Sequence, residues 1–527
     1  MFSVPTDSSN FDPGFVPFLP EHTLQRMESP RISSLLRSND GPLDSERREF
    51  MCSLKASQDA TKALQSKIEA TQRLLDFLKN QRRIAESNTA DTTKILRQYR
   101  ILNTDCLTKI FQQCLADQNG DSDNDDYSFG PREGFDCLNP VRRAPWSLAQ
   151  VCCRWRDVAL GSPGLWSCVD IDFGSLCKAQ DFYSKRLFRL GLFLERSCGF
   201  PLRIRLRSRW DISANPIFQA LLPTSSRWTD AFFSLPSKSF RSLSACGSFF
   251  GRLERLQVSL MGPMELGLDT FAMAHNIRTF TSDIPQPFLV FSHFPGASVK
   301  SYSAFDGSFR EQVSALTHLP NVQDLVLLCK KSNMDIRSPV TLGHVQSLDV
   351  DEFFHDKPGS VAQMLENLVL PSLRKLRMSF PTEAPSFPIQ HHLVHITTLE
   401  LTCRLNHHED VVAFCIFLES LTQLETLSIH AFRISGILMQ RLGLSTGPDS
   451  DQIFRYVPWL RCLDLRRSTF ANERSGYEAL LSVVASRRCM DAEALREICL
   501  DRPQNPKLSD MWEPLRKQGL YVNYWKT

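Results

Sequence analysis

A short phrase of spaced apolar residues recurs through the second half of this 527-residue chain. It consists of an apolar residue, two variable residues, a leucine, one variable residue and another apolar residue, as in LERLQV at 253–258. The central apolar position falls at 256, 325, 348, 376, 399, 427, 463 and 498, with weaker copies at 280 and 302. This recurrence predicts a chain of stacked structural units rather than one built around a single core.

The spacing of these central positions indicates the kind of repeat. Successive positions lie 22 to 28 residues apart as far as residue 427, and then 36 and 35 residues apart. Most intervals fall in the window of about 20–29 residues that is typical of leucine-rich repeats, in which neighbouring units bury each other's inward strand face. We therefore expect residues 251–527 to form an irregular α/β leucine-rich-repeat solenoid, preceded at 169–250 by connecting strands or first irregular repeats.

The N-terminal part has a different pattern. Residues 1–45 are rich in proline and polar residues, which predicts a disordered lead segment. Residues 46–98 contain no proline or glycine, and their apolar residues recur at spacings of three and four, which predicts a long amphipathic helix. The same spacing also includes the polar residues Ser57, Thr61 and Thr71, so the apolar face of the helix is interrupted. The pattern favours packing on the same chain, and a coiled-coil dimer is the alternative.

Two shorter helical patterns lie within residues 100–168. The first, LNTDCLTKIF at 102–111, is followed by an acidic, turn-rich loop at 117–136. In the frame that starts at Asp121, Asp126 stands where an EF-hand has its turn glycine and Arg132 where it has its final glutamate, so we expect no calcium site there. The second, LAQVCCRWRDVA at 148–159, ends at Gly161 and Pro163, which stop a helix.

These two segments, together with the PGLW turn at 163–166, resemble the F-box family, particularly fungal F-box proteins with degenerate leucine-rich tails. The chain departs from the family pattern at Asn103, where proline is usual, and in the long acidic loop. The resemblance implies that the module binds a Skp-family adaptor within an SCF-type cullin-RING ubiquitin ligase, and that the repeats bind an unknown target protein. The alternative is a leucine-rich interaction scaffold without ligase association.

The resemblance also implies which residues supply the adaptor contact or its supporting core. They are Leu102, Leu107, Ile110, Phe111, Leu148, Val151, Trp155 and Trp166. Because interface energy concentrates in a few large anchors, Phe111 and Trp155 are the first candidates. The expected architecture is an α+β multi-domain chain: a long helix, an F-box-like helical module and the repeat solenoid.

Catalytic motifs are absent from the sequence. Neither phosphate-binding glycine loops nor the His-Glu-x-x-His and Gly-x-Ser-x-Gly patterns occur, so we expect no enzyme activity and no cofactor. His391, His392 and His395 are the best metal candidates, but a surface loop is the better interpretation. Arginines alternate with apolar residues at 202–209, which predicts a strand with one charged, solvated face rather than a nucleic-acid site.

Charge and cysteine usage limit the setting of the protein. The formal net charge is only +3, which requires neither nucleic acid nor a membrane as partner. No run approaches about 18 consecutive apolar residues, so we expect no transmembrane helix. The sixteen cysteines are scattered, several of them in apolar runs, as is typical of a reducing compartment. These features predict the cytoplasm or nucleus.

Overall fold

The computed structural model describes residues 30–96, 102–119, 137–138, 144–174, 180–245, 250–263, 265–329, 339–352, 360–380, 387, 393–403, 408–431, 434, 436–443, 445–446, 452–453, 457–470, 473–490, 495–502 and 509–525. The chain divides into two compact units, Met1–Asn103 and Thr104–Thr527.

The first unit is helical in its described part. Helix α1 spans Pro30–Arg37 and helix α2 spans Asp44–Leu96, so the predicted helical N-terminal region is confirmed. Helix α1 lies where the sequence predicted disorder. It begins at a proline, which suits a first helical turn, and Arg31 Nε lies 3.0 Å from Glu46 Oε1 in the first turn of α2. Residues 1–29 of the predicted lead segment lie outside the described residues.

The second unit opens with short helical elements. Helix α3 spans Thr104–Asn119, and helix α4 spans Cys153–Leu160 between the 3-10 turns Leu148–Gln150 and Pro163–Trp166. Helix α3 continues past the predicted start of the acidic loop at 117, and residues 120–136 of that loop lie outside the described residues. The Cys152 Sγ accepts a hydrogen bond from the Trp155 backbone N–H and caps α4, which ends before Gly161.

A single parallel sheet occupies the rest of the described chain. Each of its fourteen strands pairs with the next strand in chain order, and this confirms the predicted stacking of units. The strands are β1 Cys168–Asp172, β2 Leu202–Arg207, β3 Trp228–Pro236, β4 Arg255–Met261, β5 Thr279–Asp283, β6 Ser301–Ala304, β7 Asp324–Cys329, β8 Ser347–Glu352, β9 Lys375–Ser379, β10 Thr398–Cys403, β11 Thr426–Ala431, β12 Cys462–Asp464, β13 Glu497–Asp501 and β14 Tyr521–Trp525.

The register of the sheet aligns the central apolar positions of the repeat. Leu256 pairs with Phe280, and the row continues through all ten predicted positions to Ile498 on β13. The same row extends upstream to Val169 on β1 and downstream to Val522 on β14. The sheet therefore includes strands within 169–250, where connecting strands or first irregular repeats were expected. The repeat phrase is harder to recognise there, because β3, for example, has Ala231 where the phrase has leucine.

Return segments of unequal length connect the strands, some with a helix and some without, which gives the repeats their irregular spacing. The interval of 35 residues between 463 and 498 contains the longest return helix, α13, which has 18 residues. The return helices are α5 Gln180–Arg196, α6 Pro216–Leu221, α7 Ser237–Ser244, α8 Pro287–Val290, α9 Phe309–Leu316, α10 Ser360–Glu366, α11 His408–Ser420, α12 Gly436–Leu442, α13 Glu473–Met490 and α14 Glu513–Lys517.

Smaller elements complete the described connections. Two 3-10 turns span Leu222–Arg227 and Gly296–Ser298. Val340–Thr341 pairs in parallel with Leu368–Val369, and Ser445–Thr446 pairs antiparallel with Gln452–Ile453. Both pairs form separate two-stranded sheets within the segments that connect strands of the large sheet.

The core lies between the inward strand face and the return segments. Strands β2 and β10 alternate strictly between buried apolar and partly exposed polar residues, as period-two geometry requires. Between β3 and β6 the core is aromatic, and Phe271 has ring centroids within 5.1 to 6.4 Å of four other phenylalanines, namely Phe233, Phe240, Phe250 and Phe291. Edge-to-face and offset packing of this kind fills the space that leucines fill elsewhere.

Candidate protein-interaction surfaces

Alternate residues of the fourteen strands form one outward surface, which we call the polar face. In-register parallel pairing brings side chains that are far apart in sequence into rows across neighbouring strands. The charged members of the middle row lie on β1, β2, β8 to β10 and β12, and the row is uncharged from β3 to β7. It consists of Asp170, Arg205, Phe232, Gln257, Thr281, Ser303, Val326, Asp349, Arg377, Glu400, Ser428, Asp464, Cys499 and Asn523.

At the β1 end, the arginines of β2 lie beside the aspartates of β1. Arg207 Nη1 lies 2.7 Å from Asp170 Oδ1, and the guanidinium lies 5.1 Å from the Phe232 ring centroid. Burial raises the pKa of Asp170 above its ordinary value, and the positive charges of Arg207 and Arg205 oppose that rise. The predicted charged strand is therefore present, but Arg207 is paired and partly buried rather than solvated.

Toward the other end, three charged residues of alternating sign and a histidine lie on four successive strands. Arg377 Nη1 lies 3.4 Å from Asp349 Oδ2, Arg377 Nε lies 3.4 Å from Glu400 Oε1, and His430 Nδ1 lies 3.9 Å from the same Glu400 oxygen. We call these four residues the charge ladder. Their side chains are 16 to 25% exposed. Burial lowers the pKa of His430 below its ordinary value, while the nearby Glu400 carboxylate opposes that shift.

The polar face ends at two exposed aromatic side chains on β14. Tyr521 is 70% and Trp525 is 56% exposed. Arg466 forms a bidentate pair with Asp464, with Nε–Oδ1 and Nη2–Oδ2 distances of 2.9 and 2.6 Å, and its guanidinium lies 5.4 Å from the Trp525 ring centroid. Exposed aromatics beside an arginine are the residue types that carry binding energy in protein interfaces.

Five of the residues implied by the F-box resemblance form the interior of the helical module. Leu107, Phe111, Leu148 and Trp166 are buried, and the half-buried Trp155 ring lies 4.9 Å from the Phe111 ring. The Trp166 indole N–H donates to the Ala159 carbonyl at 2.8 Å. These side chains pack α3, α4 and the following turn together, as residues of a supporting core would. The four-residue spacing of Leu107 and Phe111 on one helix face could have indicated this from the sequence.

The remaining three residues are more accessible. Ile110 is 40% and Val151 is 59% exposed, whereas Leu102, which belongs to the first unit, is half-buried. Ile110 is next to the buried Phe111 on α3, and Val151 is the residue that follows the turn Leu148–Gln150. The accessible apolar surface of the module therefore includes Ile110 and Val151, whereas Phe111 is buried.

In the described residues, no group of three or more His, Cys, Asp or Glu side chains is arranged to hold a metal ion. His395 lies in the described part before β10, but His391 and His392 lie outside it. The described helices include none with the length and apolar character needed to span a bilayer.

Comparison with known proteins yields only remote structural similarities. No protein-family model matches the chain, and no curated protein matches it. One similar structure is a Bacteroides fragilis protein with 14% identity and a TM-score of 0.28, covering 52% of this chain and 66% of that one. Another is the TLR13–ssRNA13 complex, with 16% identity, a TM-score of 0.32, and coverages of 61% and 45%. The chain spans less than two thirds of the length of either structure. The strand register itself supports a leucine-rich-repeat-like α/β fold.

Proposed function

We propose that this chain is a protein-interaction scaffold that binds a partner protein on its polar face. The charge ladder of Asp349, Arg377, Glu400 and His430 is the observation that supports the proposal. Partial burial of charged groups costs free energy that mutual pairing only partly returns. The fold requires apolar residues on the inward face of the sheet, but it does not require charged residues at these outward positions. Recognition of a partner accounts for their presence.

The sheet gives this surface the rigidity that selective binding needs. Neighbouring strands lie about 4.8 Å apart, so the charges of the ladder form a fixed array of alternating sign. Such an array binds a complementary array on a partner and repels one in a shifted register, which gives specificity more than affinity. Tyr521 and Trp525 at the end of the face supply the large apolar contacts that the ladder lacks.

Removal of the exposed aromatics should abolish partner capture without unfolding the protein. We expect Tyr521→Ala plus Trp525→Ala to lower the amount of specifically captured protein at least about tenfold, which corresponds to about 1.4 kcal/mol. The measurement is quantitative affinity purification from cell extract with the full-length chain. Trp459→Ala is the matched control, because Trp459 is 65% exposed but lies outside the strands. Equal capture by all three proteins would contradict the proposed location of the binding surface.

We further propose, as a second function, that the helical module binds a Skp-family adaptor, which would make the scaffold a substrate receptor of an SCF-type ligase. This proposal rests on the resemblance at 102–111 and 148–166. The exposed apolar residues Ile110 and Val151 favour it. An apolar surface on a short helical module fits a protein partner that buries it. The first proposal does not depend on this one.

The adaptor proposal is tested at the accessible residues. Ile110→Asp plus Val151→Asp should reduce co-purification of a Skp-family adaptor at least about tenfold, because a charge at each position must be desolvated in the interface. Leu266→Asp plus Leu289→Asp is the control, since both leucines are more than half exposed and lie outside the module. Capture of no adaptor by the wild-type chain would leave the scaffold without ligase association.

A further inference from the structure

Helix α2 exposes its apolar residues along its whole length. All 53 of its residues are described, and Ala60 is the one among them that is buried. Helices in water obtain most of their stability from packing an apolar face against other structure. The large apolar residues that α2 exposes instead are Met51, Leu54, Leu64, Ile68, Leu74, Leu75, Phe77, Leu78, Ile84, Ile95 and Leu96.

Part of this surface follows a seven-residue repeat. Leu54, Ile68 and Leu75 occupy one position of the heptad, and Leu64 and Leu78 occupy the position three residues after it. Alternating spacings of three and four keep these side chains on one narrow seam when two helices supercoil around each other. Six of the eleven exposed large apolar residues of α2 lie on these two positions, and Leu74 and Ile95 flank them, as in the seam of a coiled coil.

The length of α2 indicates what kind of partner covers this seam. A helix of 53 residues is about 80 Å long and about 10 Å wide, so contact along its length covers about 800 Å² per chain. That is roughly the area which each partner contributes to a stable interface. A contact of this length that keeps the same periodicity requires another long helix with the same heptad repeat.

The flanking positions are compatible with pairing between two copies of α2 in parallel. In that arrangement Lys67 faces Gln72 of the other copy, Leu74 faces Lys79, and no flanking pair brings like charges together. Arg82 falls on the seam, but its Nε lies 3.4 Å from Glu86 Oε1 of its own helix, which draws the guanidinium toward the rim. Ile68 on the seam between two leucines also favours a two-stranded assembly.

We propose that the protein is a homodimer held together by a parallel two-stranded coiled coil of α2 helices. Ser57, Thr61, Thr71, Thr89 and Thr92 on the seam weaken the pair relative to an all-leucine coil. The dimer presents two copies of the polar face in one particle. A partner with two binding sites is then held more tightly than by a single chain, because the second contact is intramolecular.

Solution mass of the full-length chain tests the proposal. Sedimentation equilibrium of the wild type should give twice the chain mass of 60.1 kDa. Ile68→Glu plus Leu75→Glu places charges face to face on the seam and should return the mass to that of a single chain. Phe77→Glu plus Ile84→Glu is the matched control, because these exposed residues have the same spacing on the opposite side of α2 and should leave the dimer intact. Circular dichroism checks that both variants retain their helix.

A cysteine pair tests the parallel arrangement. Ser57→Cys places a thiol on the seam, where its counterpart in a parallel dimer is adjacent, so oxidation should form a covalent dimer. Asp59→Cys, two residues away on the outer side of the helix, should not cross-link above the level of the wild type. A wild-type chain that remains monomeric, or equal masses for the seam and outer variants, would overturn the proposal. A dimer without the Ser57→Cys cross-link would overturn its parallel register.

Discussion

Replacing Phe271 with alanine should lower the free energy of unfolding of the repeat unit by about 3–5 kcal/mol, which is the usual cost of truncating a buried aromatic residue. Phe271 is fully buried, and its ring lies 5.1 Å from that of Phe291 and 5.7 Å from that of Phe250. The substitution leaves a cavity at the centre of the aromatic core between β3 and β6. Neighbouring rings close that cavity poorly, because each is fixed by further ring contacts.

Denaturant-induced unfolding, followed by tryptophan fluorescence, measures this effect. Met273→Ala is the control, since Met273 lies two residues away and is 55% exposed, so its truncation removes little buried surface. We expect the midpoint for Met273→Ala to stay close to that of the wild type. Similar midpoints for the two variants would show that the aromatic cluster does not stabilise this part of the sheet.

Arg487→Met should also destabilise the protein strongly, by about 2–5 kcal/mol, because it leaves buried carbonyl groups without a charged donor. The Arg487 side chain on α13 is 1% exposed. Its Nε and Nη2 donate to the Leu442 carbonyl at 3.0 and 2.8 Å, and its Nη1 donates to the Val457 carbonyl at 2.8 Å. Burial lowers the pKa of this guanidinium to about 10. The arginine therefore joins the end of α12 to the turn before β12.

Two further substitutions separate this bonding role from general effects of charge. Arg487→Lys keeps a positive charge but lacks the planar fork, so we expect it to recover part of the lost stability. Arg474→Met removes an exposed arginine of the same helix and should cost less than about 1 kcal/mol. Unfolding midpoints of the three variants decide the matter. A cost for Arg487→Met as small as that for Arg474→Met would rule out a stabilising role for the buried fork.

The inward side of the sheet is predictable because burial imposes one local rule on every strand. Leu256, Leu325 and Leu463 were identified from spacing alone, and the structure places them in one register row. The leucine pattern is missing where aromatic side chains from other segments fill the core behind a strand. Ala231 on β3 occupies that row with an aromatic core behind it, so no leucine phrase marks the strand. The sequence consequently predicted residues 169–250 only as connecting strands or first irregular repeats.

In the helical module, a sequence motif identifies which residues are apolar, but it does not say which of them face the interior. The resemblance identified Phe111 as an anchor, but the structure buries it against Trp155 and leaves Ile110 exposed. One residue along a helix corresponds to a rotation of about 100°, so neighbouring apolar residues face different surroundings. Phe111 faces inward because its ring packs against Trp155 of α4, a residue 44 positions later in the sequence.

The sequence by itself determined the long helix and the stacking of parallel strands, because each follows from a local periodicity of apolar residues that must leave water. It contained no comparable signal for the charge ladder. Asp349 and Arg377 lie 28 residues apart, and they meet because the intervening loops and helices return each strand to the same register. Residues at outward positions follow no periodic pattern that can be recognised in the sequence. Only the tertiary structure therefore decided which charged residues become neighbours.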